Sequence, residues 1–307
     1  MNSMTTSPRT IVVTGASSGI GAVAATHFAQ QGETVVVVGR DPERTRAVAR
    51  RIGAEYHLAD FTRFDDVRAL AAVLTERHER IDVLLNNAGG LISKRLRTVD
   101  GHEATIQSNL LSHYLITRLL LPSVQRAAEE NAPGHGRVIT TSSVANRVGR
   151  LDVDDLDFEH HRWLGGWRAY GTAKLAVILF TRELARRTAA SGAGAGTGSG
   201  AIGHSGDPAV EAYSVHPGAV NTSFGASSPL IRLGNALTGS RWGVSAEVGA
   251  APLIALSSAS PVPAPSGTYF DRMRADGRTA PQAGDLALQR RLWERCAELT
   301  GLPVDLP

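Results

Sequence analysis

The sequence predicts an α/β fold: one doubly wound, mostly parallel sheet of about seven strands, flanked on both faces by helices. Three observations lead there. Short apolar runs such as Thr10-Ile-Val-Val-Thr14 and Thr34-Val-Val-Val-Val38 lack the polar alternation of a half-exposed strand, so they read as strands covered on both faces. These runs alternate with longer stretches of helical periodicity, the pattern of βαβ units, and right-handed crossovers make such a sheet parallel. Glycines crowd the first strand–helix junction, where a doubly wound sheet turns most sharply.

The elements follow in order. After the first strand, Ile20 to Gln31 reads as a helix that stops before Gly32. Thr34 to Val38 is the second strand. Asp41-Pro42-Glu43 then provides an N-cap, a proline at the first helical position and an acid in the first turn. Glu55 to Leu58 is a short third strand, and Phe64 to His78 the helix after it. Ile81 to Leu85 is the fourth strand, followed by a long helix over Gly101 to Glu129. Arg137 to Thr141 is the fifth strand, Ala169 to Ala190 a helix, and Val210 to Val215 the sixth strand. Thr268 to Phe270 supplies a short seventh strand before a final helix from Gly284 to Thr300. The alternation runs through the chain, so residues 1–307 read as a single domain. Its first nine residues form a flexible N-terminus, and the Gly/Ala/Ser-rich stretch 191–206 is a surface insertion.

Composition excludes several classes. A chain of 307 residues buries enough core to need no disulfide or structural metal, and Cys296 is its sole cysteine. No window approaches the length of a membrane span, and the N-terminal stretch lacks the apolar core of a secretory signal, so a cytoplasmic location is expected. The net charge of +3 does not point to nucleic acid, because arginines and acids are interleaved. Lysine is scarce: of 32 basic residues only Lys94 and Lys174 are lysines.

The first junction reads Thr14-Gly15-Ala16-Ser17-Ser18-Gly19-Ile20-Gly21. Glycines there permit positive φ and a close approach of a diphosphate, and the helix behind it offers free N–H groups and the positive end of its dipole. The spacing is G-x-x-x-G-x-G rather than the commoner G-x-G-x-x-G, but its place in the chain favours a dinucleotide site. The second strand ends in Val38-Gly39-Arg40. An acid at that point would bind a free ribose 2′-hydroxyl, whereas an arginine suits a 2′-phosphate; Arg40 therefore points to NADP(H), with NAD(H) the alternative. Arg44 is a weaker second phosphate contact. Tyr170-Gly-Thr-Ala-Lys174 places a phenol and an ammonium on one helix face, a pair that also arises by chance on a solvated helix. An ammonium there can lower the phenol's pKa towards neutrality.

With the glycine turn, Asn86-Asn87-Ala88-Gly89, Ser143, Tyr170-x-x-x-Lys174 and His216-Pro217-Gly218 in this order, the sequence resembles the short-chain dehydrogenase/reductase family over Thr10 to Leu302. The stretches Leu175 to Arg187, Gly267 to Phe270 and Arg291 to Glu294 are similar to its retinol-dehydrogenase-like branch. The resemblance implies a Rossmann-type fold and an NADP(H)-dependent oxidoreductase that passes hydride between the nicotinamide and a carbonyl or its alcohol. It implies a tetrad of Asn109, Ser143, Tyr170 and Lys174: Tyr170 as general acid/base, Lys174 lowering its pKa and holding the ribose, Ser143 rather than Ser142 binding the substrate oxygen, and Asn109 holding a relay water. It assigns the cofactor to Gly15, Ser17, Ser18, Gly19, Ile20, Gly21, Arg40, Asp60, Phe61, Asn87, Ala88, Gly89, Tyr170, Lys174, Pro217, Gly218, Val220 and Thr222, with Asp60 at the adenine edge.

Ser143 and Tyr170 stand far apart for the family, so Asp152 to His161, Trp163 and Trp167 must loop out over the substrate entrance. The acids and adjacent histidines of that loop read as a solvated loop, not a metal site, since the two histidines lack helical metal-pair spacing. Leu91 to Arg97, Val144 to Trp167 and Ser223 to Trp242 are expected to shape a pocket for an apolar or aromatic carbonyl compound. No membrane anchor is expected. The run Leu175 to Phe180 is apolar on more faces than one sheet contact needs, which favours a homo-oligomer built on the two long helices, although it could equally pack inside the subunit. A catalytically silent NADP(H)-binding module acting through a protein partner is the competing functional reading; an intact Ser143, Tyr170 and Lys174 speak against it.

Overall fold

A computed structural model describes residues 7–129, 136–161, 163–193, 210–218 and 243–307. Seven strands form one sheet: β1 (Thr10–Thr14), β2 (Thr34–Gly39), β3 (Glu55–Leu58), β4 (Val83–Asn86), β5 (Arg137–Thr141), β6 (Glu211–His216) and β7 (Tyr269–Asp271). Their order is β3-β2-β1-β4-β5-β6-β7, and every neighbouring pair is parallel. The chain builds outward from β1 to β3 and then crosses back to start β4 beside β1. That reversal opens the crevice where ligands of such sheets bind, at the carboxyl ends of the strands.

The central strands are apolar throughout because both faces are covered. Val12, Val36, Val38 and Leu84 face one core, while Ile11, Val13, Val35, Val37, Val83 and Leu85 face the other. The first core is closed by α3 (Phe64–Arg77), α5 (Ser112–Glu129), α6 (Trp167–Ala193) and α8 (Leu286–Thr300). The second is closed by α1 (Gly19–Gln30), α2 (Pro42–Ile52) and α7 (Ala246–Ser258). Each fully buried Val or Leu contributes about 1.5–3 kcal/mol, so the alternation of side chains fixes the register of every strand.

Most expected boundaries agree with the structure to within two residues. Asp41 caps α2 by accepting from the Arg44 N–H, and Gly53 ends it in the left-handed conformation. Three differences have physical causes. The long helix before β5 is not uniform: α4 (Ala104–Ile106) passes through a π-turn, Gln107–Leu111, into α5. The helix α7 was not anticipated; Ser245 accepts from Val248 N–H as its N-cap and Glu247 lies in its first turn, but Pro252 in its interior breaks the sequence signal. The N-terminal stretch is not loose at Arg9, whose backbone N–H and guanidinium bind Glu33 and whose guanidinium also reaches the Ser257 carbonyl. No described helix is long and apolar enough to cross a membrane.

The loop 152–161 also differs from expectation. Asp155 is buried and accepts from the Glu159 and His160 N–H groups and from His161. Asp157 takes the Glu103 N–H and faces His102. These two acids turn inward and brace the loop, whereas Asp154 stays exposed in an ion pair with Arg291.

Candidate active site

The turn after β1 is built around hydrogen bonds that reach to β4 and β5. Thr14 Oγ1 donates to the Leu85 carbonyl and accepts from the N–H groups of Asn87 and Ala88. Asn87 Nδ2 donates to the Thr14 carbonyl at 3.1 Å, and its Oδ1 accepts from Thr141 Oγ1 at 3.2 Å. Gly15 has φ +65°, and a Cβ on Gly21 would lie 2.5 Å from the Gly15 carbonyl oxygen. The glycines therefore allow α1 to start against the turn with no side chain between. Ser18 begins α1 without a side-chain cap, and no acid lies in the first turn. The positive end of α1 is thus left open, as a diphosphate requires, whereas α2 is closed by its own Asp41.

At the end of β2 a Cβ on Gly39 would meet Thr45 Oγ1 at 2.3 Å and Ser17 Cβ at 2.9 Å. An acid at that position would have to displace both, and the next side chain along the chain is that of Arg40. Its neighbouring acids are taken: Asp41 pairs with Arg44, and Glu43 with Arg46. Arg40 is exposed and, among the described residues, makes no ion pair or hydrogen bond. Arg44, the second phosphate candidate, is held by Asp41 at 3.0 Å. Asp60 follows β3, whose end is tied to Gly39 by Ala59 N–H; its Oδ1 accepts from both the N–H and the hydroxyl of Thr62. Phe61 is buried behind it.

The chemistry-bearing side chains come from β5 and α6. Ser142 is buried and donates its hydroxyl to the Lys174 carbonyl, which locks α6 to β5. That leaves the half-exposed Ser143, whose hydroxyl accepts from the Ala145 N–H and lies near enough to the Tyr170 phenol to favour its ionised form. Burial pushes that phenol up to about 12, opposed by the nearby Ser143 hydroxyl. Burial likewise brings Lys174 down to about 7. Its Nζ donates to the Thr141 carbonyl at 2.9 Å and lies 5.6 Å from the centre of the Tyr170 ring. In the cofactor-free chain burial therefore dominates, and the phenol is held above its ordinary value as a proton donor.

Asn109 sits in the π-turn with its amide bound mainly to backbone groups. Nδ2 donates to the Thr105 and Gly90 carbonyls at 2.8 and 2.9 Å, and Oδ1 accepts from the Gly90 N–H at 3.1 Å. It clamps the long helix to the turn after β4. Gly89 has φ +130°, and a Cβ there would strike Asn109 Oδ1 at 2.4 Å. Pro217 and Gly218 lie at the same edge, after β6. Val220, Thr222, the 223–242 segment and most of the 191–206 insertion fall outside the described residues.

Two residues escaped the sequence reading. Thr141 is the acceptor for Lys174 and a partner of Asn87, yet nothing in sequence distinguishes it from other strand threonines. His113, four residues after Asn109, is fully buried and packs edge-on to Phe61 at 5.7 Å. Burial and the charge of nearby Lys174 lower it to about 3, so it is a neutral wall of the site.

Comparison with known proteins agrees with this geometry. A family model described as short chain dehydrogenase matches residues 9–155. A protein of Streptomyces sp. strain C5, provisionally named a daunorubicin C-13 ketoreductase, is 38% identical over 302 residues, which cover 95% of this chain and 93% of that one. Human retinol dehydrogenase 13 is 33% identical, over 96% of this chain and 85% of its own. Among solved structures, a Mycobacterium paratuberculosis protein of uncharacterised function matches with a TM-score of 0.72 at 30% identity, covering 97% and 95% of the two chains. The active-site complex of Pseudomonas aeruginosa RhlG with NADP gives 0.63 at 26% identity, over 86% and 93%. Sheet order, ordered motifs and relatives this similar over nearly the whole of both chains lead to one conclusion: the chain belongs to the short-chain dehydrogenase/reductase family of oxidoreductases.

Proposed function

We propose that this protein is an NADP(H)-dependent oxidoreductase that interconverts a carbonyl group and an alcohol on an apolar small molecule, with Tyr170 transferring the proton. The observation that carries the proposal is the gathering of Ser143, Tyr170 and Lys174 at the strand edge beside the open end of α1, with the Lys174 ammonium 5.6 Å from the phenol ring centre. The names of two relatives, a ketoreductase and a retinol dehydrogenase, describe carbonyl–alcohol chemistry and support it. The unpaired Arg40 supports NADP(H), as does the RhlG complex with NADP.

Gly15, Gly19 and Gly21 leave room for the diphosphate, Arg40 holds the 2′-phosphate, and Asn87 to Gly89 line the adenosine ribose. When bound, the nicotinamide supplies hydride for reduction and accepts it in oxidation. Ser143 and Tyr170 donate hydrogen bonds to the substrate oxygen, which stabilise the negative charge that develops there. A phenol held neutral by burial keeps its proton until that charge appears and then gives it up. Lys174 uses one of its three donors on Thr141, leaving two for a ribose hydroxyl. Its positive charge offsets the phenolate that remains after proton transfer. Asn109 fixes, through Gly90, the turn after β4 that would line the ribose.

The test follows oxidation of NADPH by the purified protein over a panel of ketones and aldehydes. Tyr170→Phe is expected to lower kcat by about 10²–10⁴-fold with an unchanged unfolding temperature. Undiminished turnover in that variant would overturn the proposed role.

A further inference from the structure

Three side chains line up along one face of α6. Trp167, Tyr170 and Lys174 are spaced three and four residues apart, so they are stacked along the helix. The Lys174 ammonium lies 5.6 Å from the phenol ring centre on its C-terminal side. The Trp167 indole lies 6.2 Å away on its N-terminal side, with the ring planes at 88°. The phenol is 5% exposed, whereas Trp167 is only partly buried. The indole is therefore the more exposed of the two packed rings.

Trp167 is held in that place by the chain before it. Gly165 and Gly166 have φ of +62° and +84°, and a Cβ on Gly166 would lie 2.3 Å from the Ile92 carbonyl oxygen. The approach to α6 is thus pressed onto the loop after β4, and Trp163 Nε1 pins it there by donating to the Ser93 carbonyl at 2.8 Å. Trp163 and Trp293 both use their indole N–H groups, but among the described residues the N–H of Trp167 meets no acceptor. A partly exposed indole packed on the phenol, with its N–H unused among the described residues, is built to meet a ligand. Leu164, 62% exposed, precedes it, and Val144, 40% exposed, follows Ser143.

We infer that Trp167 is a specificity-determining platform that selects planar aromatic ketones and aldehydes. The inference rests on the carbonyl chemistry proposed above. With the substrate oxygen held by Ser143 and Tyr170, the groups on the carbonyl carbon must extend away from the buried phenol, past the indole. A flat conjugated ring meets the indole with favourable stacked or edge-on geometry, whereas a puckered saturated ring of the same carbon count cannot.

Acetophenone and cyclohexyl methyl ketone, which share a carbon skeleton and differ in planarity, separate the two. Wild type, Trp167→Phe, Trp167→Leu and Trp167→Ala are assayed with NADPH. The Leu and Ala variants are expected to raise KM for acetophenone about tenfold with kcat little changed, while Phe stays close to wild type. KM for cyclohexyl methyl ketone should barely move in any variant. Equal losses on both ketones, or a Leu variant equal to wild type on acetophenone, would overturn the inference. If wild type reduces neither ketone with either nicotinamide cofactor, it is the carbonyl chemistry that fails. Calorimetric binding of acetophenone to the NADPH-loaded protein then decides Trp167 separately: weaker binding to the Leu variant sustains its role, and equal binding overturns it.

Discussion

Lys174 and Tyr170 are neighbours whose proton affinities are moved in opposite directions by the same burial. The ammonium is disfavoured and falls from its ordinary 10.5 to about 7, while the phenol is held protonated. The sign for stability follows. Below about pH 7 the folded protein carries a buried ammonium that the unfolded chain hydrates freely. That penalty is relieved as pH rises from the folded value towards the unfolded one. Lys174→Met is therefore expected to raise the unfolding temperature of the cofactor-free protein more at pH ~6 than at pH ~9, while abolishing turnover. A pH-independent difference between the two proteins would show that Lys174 does not titrate in this range. Arg40 gives a second prediction at this scale: Arg40→Ala should weaken NADPH binding about tenfold and leave NADH binding unchanged, since a single charge-assisted contact to the 2′-phosphate is lost. Titration of both cofactors into both proteins measures it, and an unaltered preference would reject the assignment. Motif order alone puts Ser143 just after a strand and Tyr170 and Lys174 on one helix face, and the structure brings the three side chains together. The choice of Ser143 over Ser142 gains its reason only from packing, since Ser142 spends its hydroxyl on the Lys174 carbonyl.

Among the elements, the glycine turn and α1 show how little space the cofactor edge leaves. A Cβ on Gly21 would approach the Gly15 carbonyl oxygen at 2.5 Å and Asn87 Nδ2 at 2.7 Å. One of these contacts is backbone, so the turn itself must shift. Gly21→Ala is expected to cost about 1–3 kcal/mol in urea denaturation and to weaken both NADPH and NADH, in contrast to Arg40→Ala. Stability equal to wild type would mean that the turn yields more easily than its hydrogen bonds imply. Strand and helix positions were readable because period and capping are local properties, as at Asp41, Pro42 and Gly53. The π-turn around Asn109 was not, because it depends on what that amide binds across the gap to Gly90. Nor was the inward turn of Asp155 and Asp157, whose partners lie on the loop itself and on the segment before α4.

Over the whole molecule, the apolar surplus of α6 is spent inside the subunit. Leu175 to Phe180 are at most 2% exposed, and α8 packs along the same helix. Trp293 of α8 is the centre of this contact. It stacks on Phe180 at 6.0 Å, meets Tyr114 edge-on at 5.0 Å, and lies between the guanidiniums of Arg118 and Arg187 at 4.9 and 4.8 Å. Its Nε1 donates to the Val304 carbonyl, and Arg118 binds the carbonyls of Pro303 and Asp305, so the last residues are strapped over α5 and α6. The apolar run that favoured pairing through the two long helices is already covered by the chain's own C-terminal helix. Trp293→Ala should cost about 3–5 kcal/mol by urea denaturation, with the catalytic side chains untouched.

The sequence by itself determined the sheet, the order of its strands' motifs and the candidate residues at their carboxyl ends, because apolar period, capping and glycine placement act within a few residues. Tertiary structure decided that Ser142 spends its hydroxyl on α6, why Gly39 leaves no room for a side chain, where the surplus of α6 goes and which ring packs on Tyr170. Those outcomes depend on contacts between residues far apart in the chain, such as Gly166 with Ile92 and Ser142 with Lys174, whose spacing no local pattern encodes.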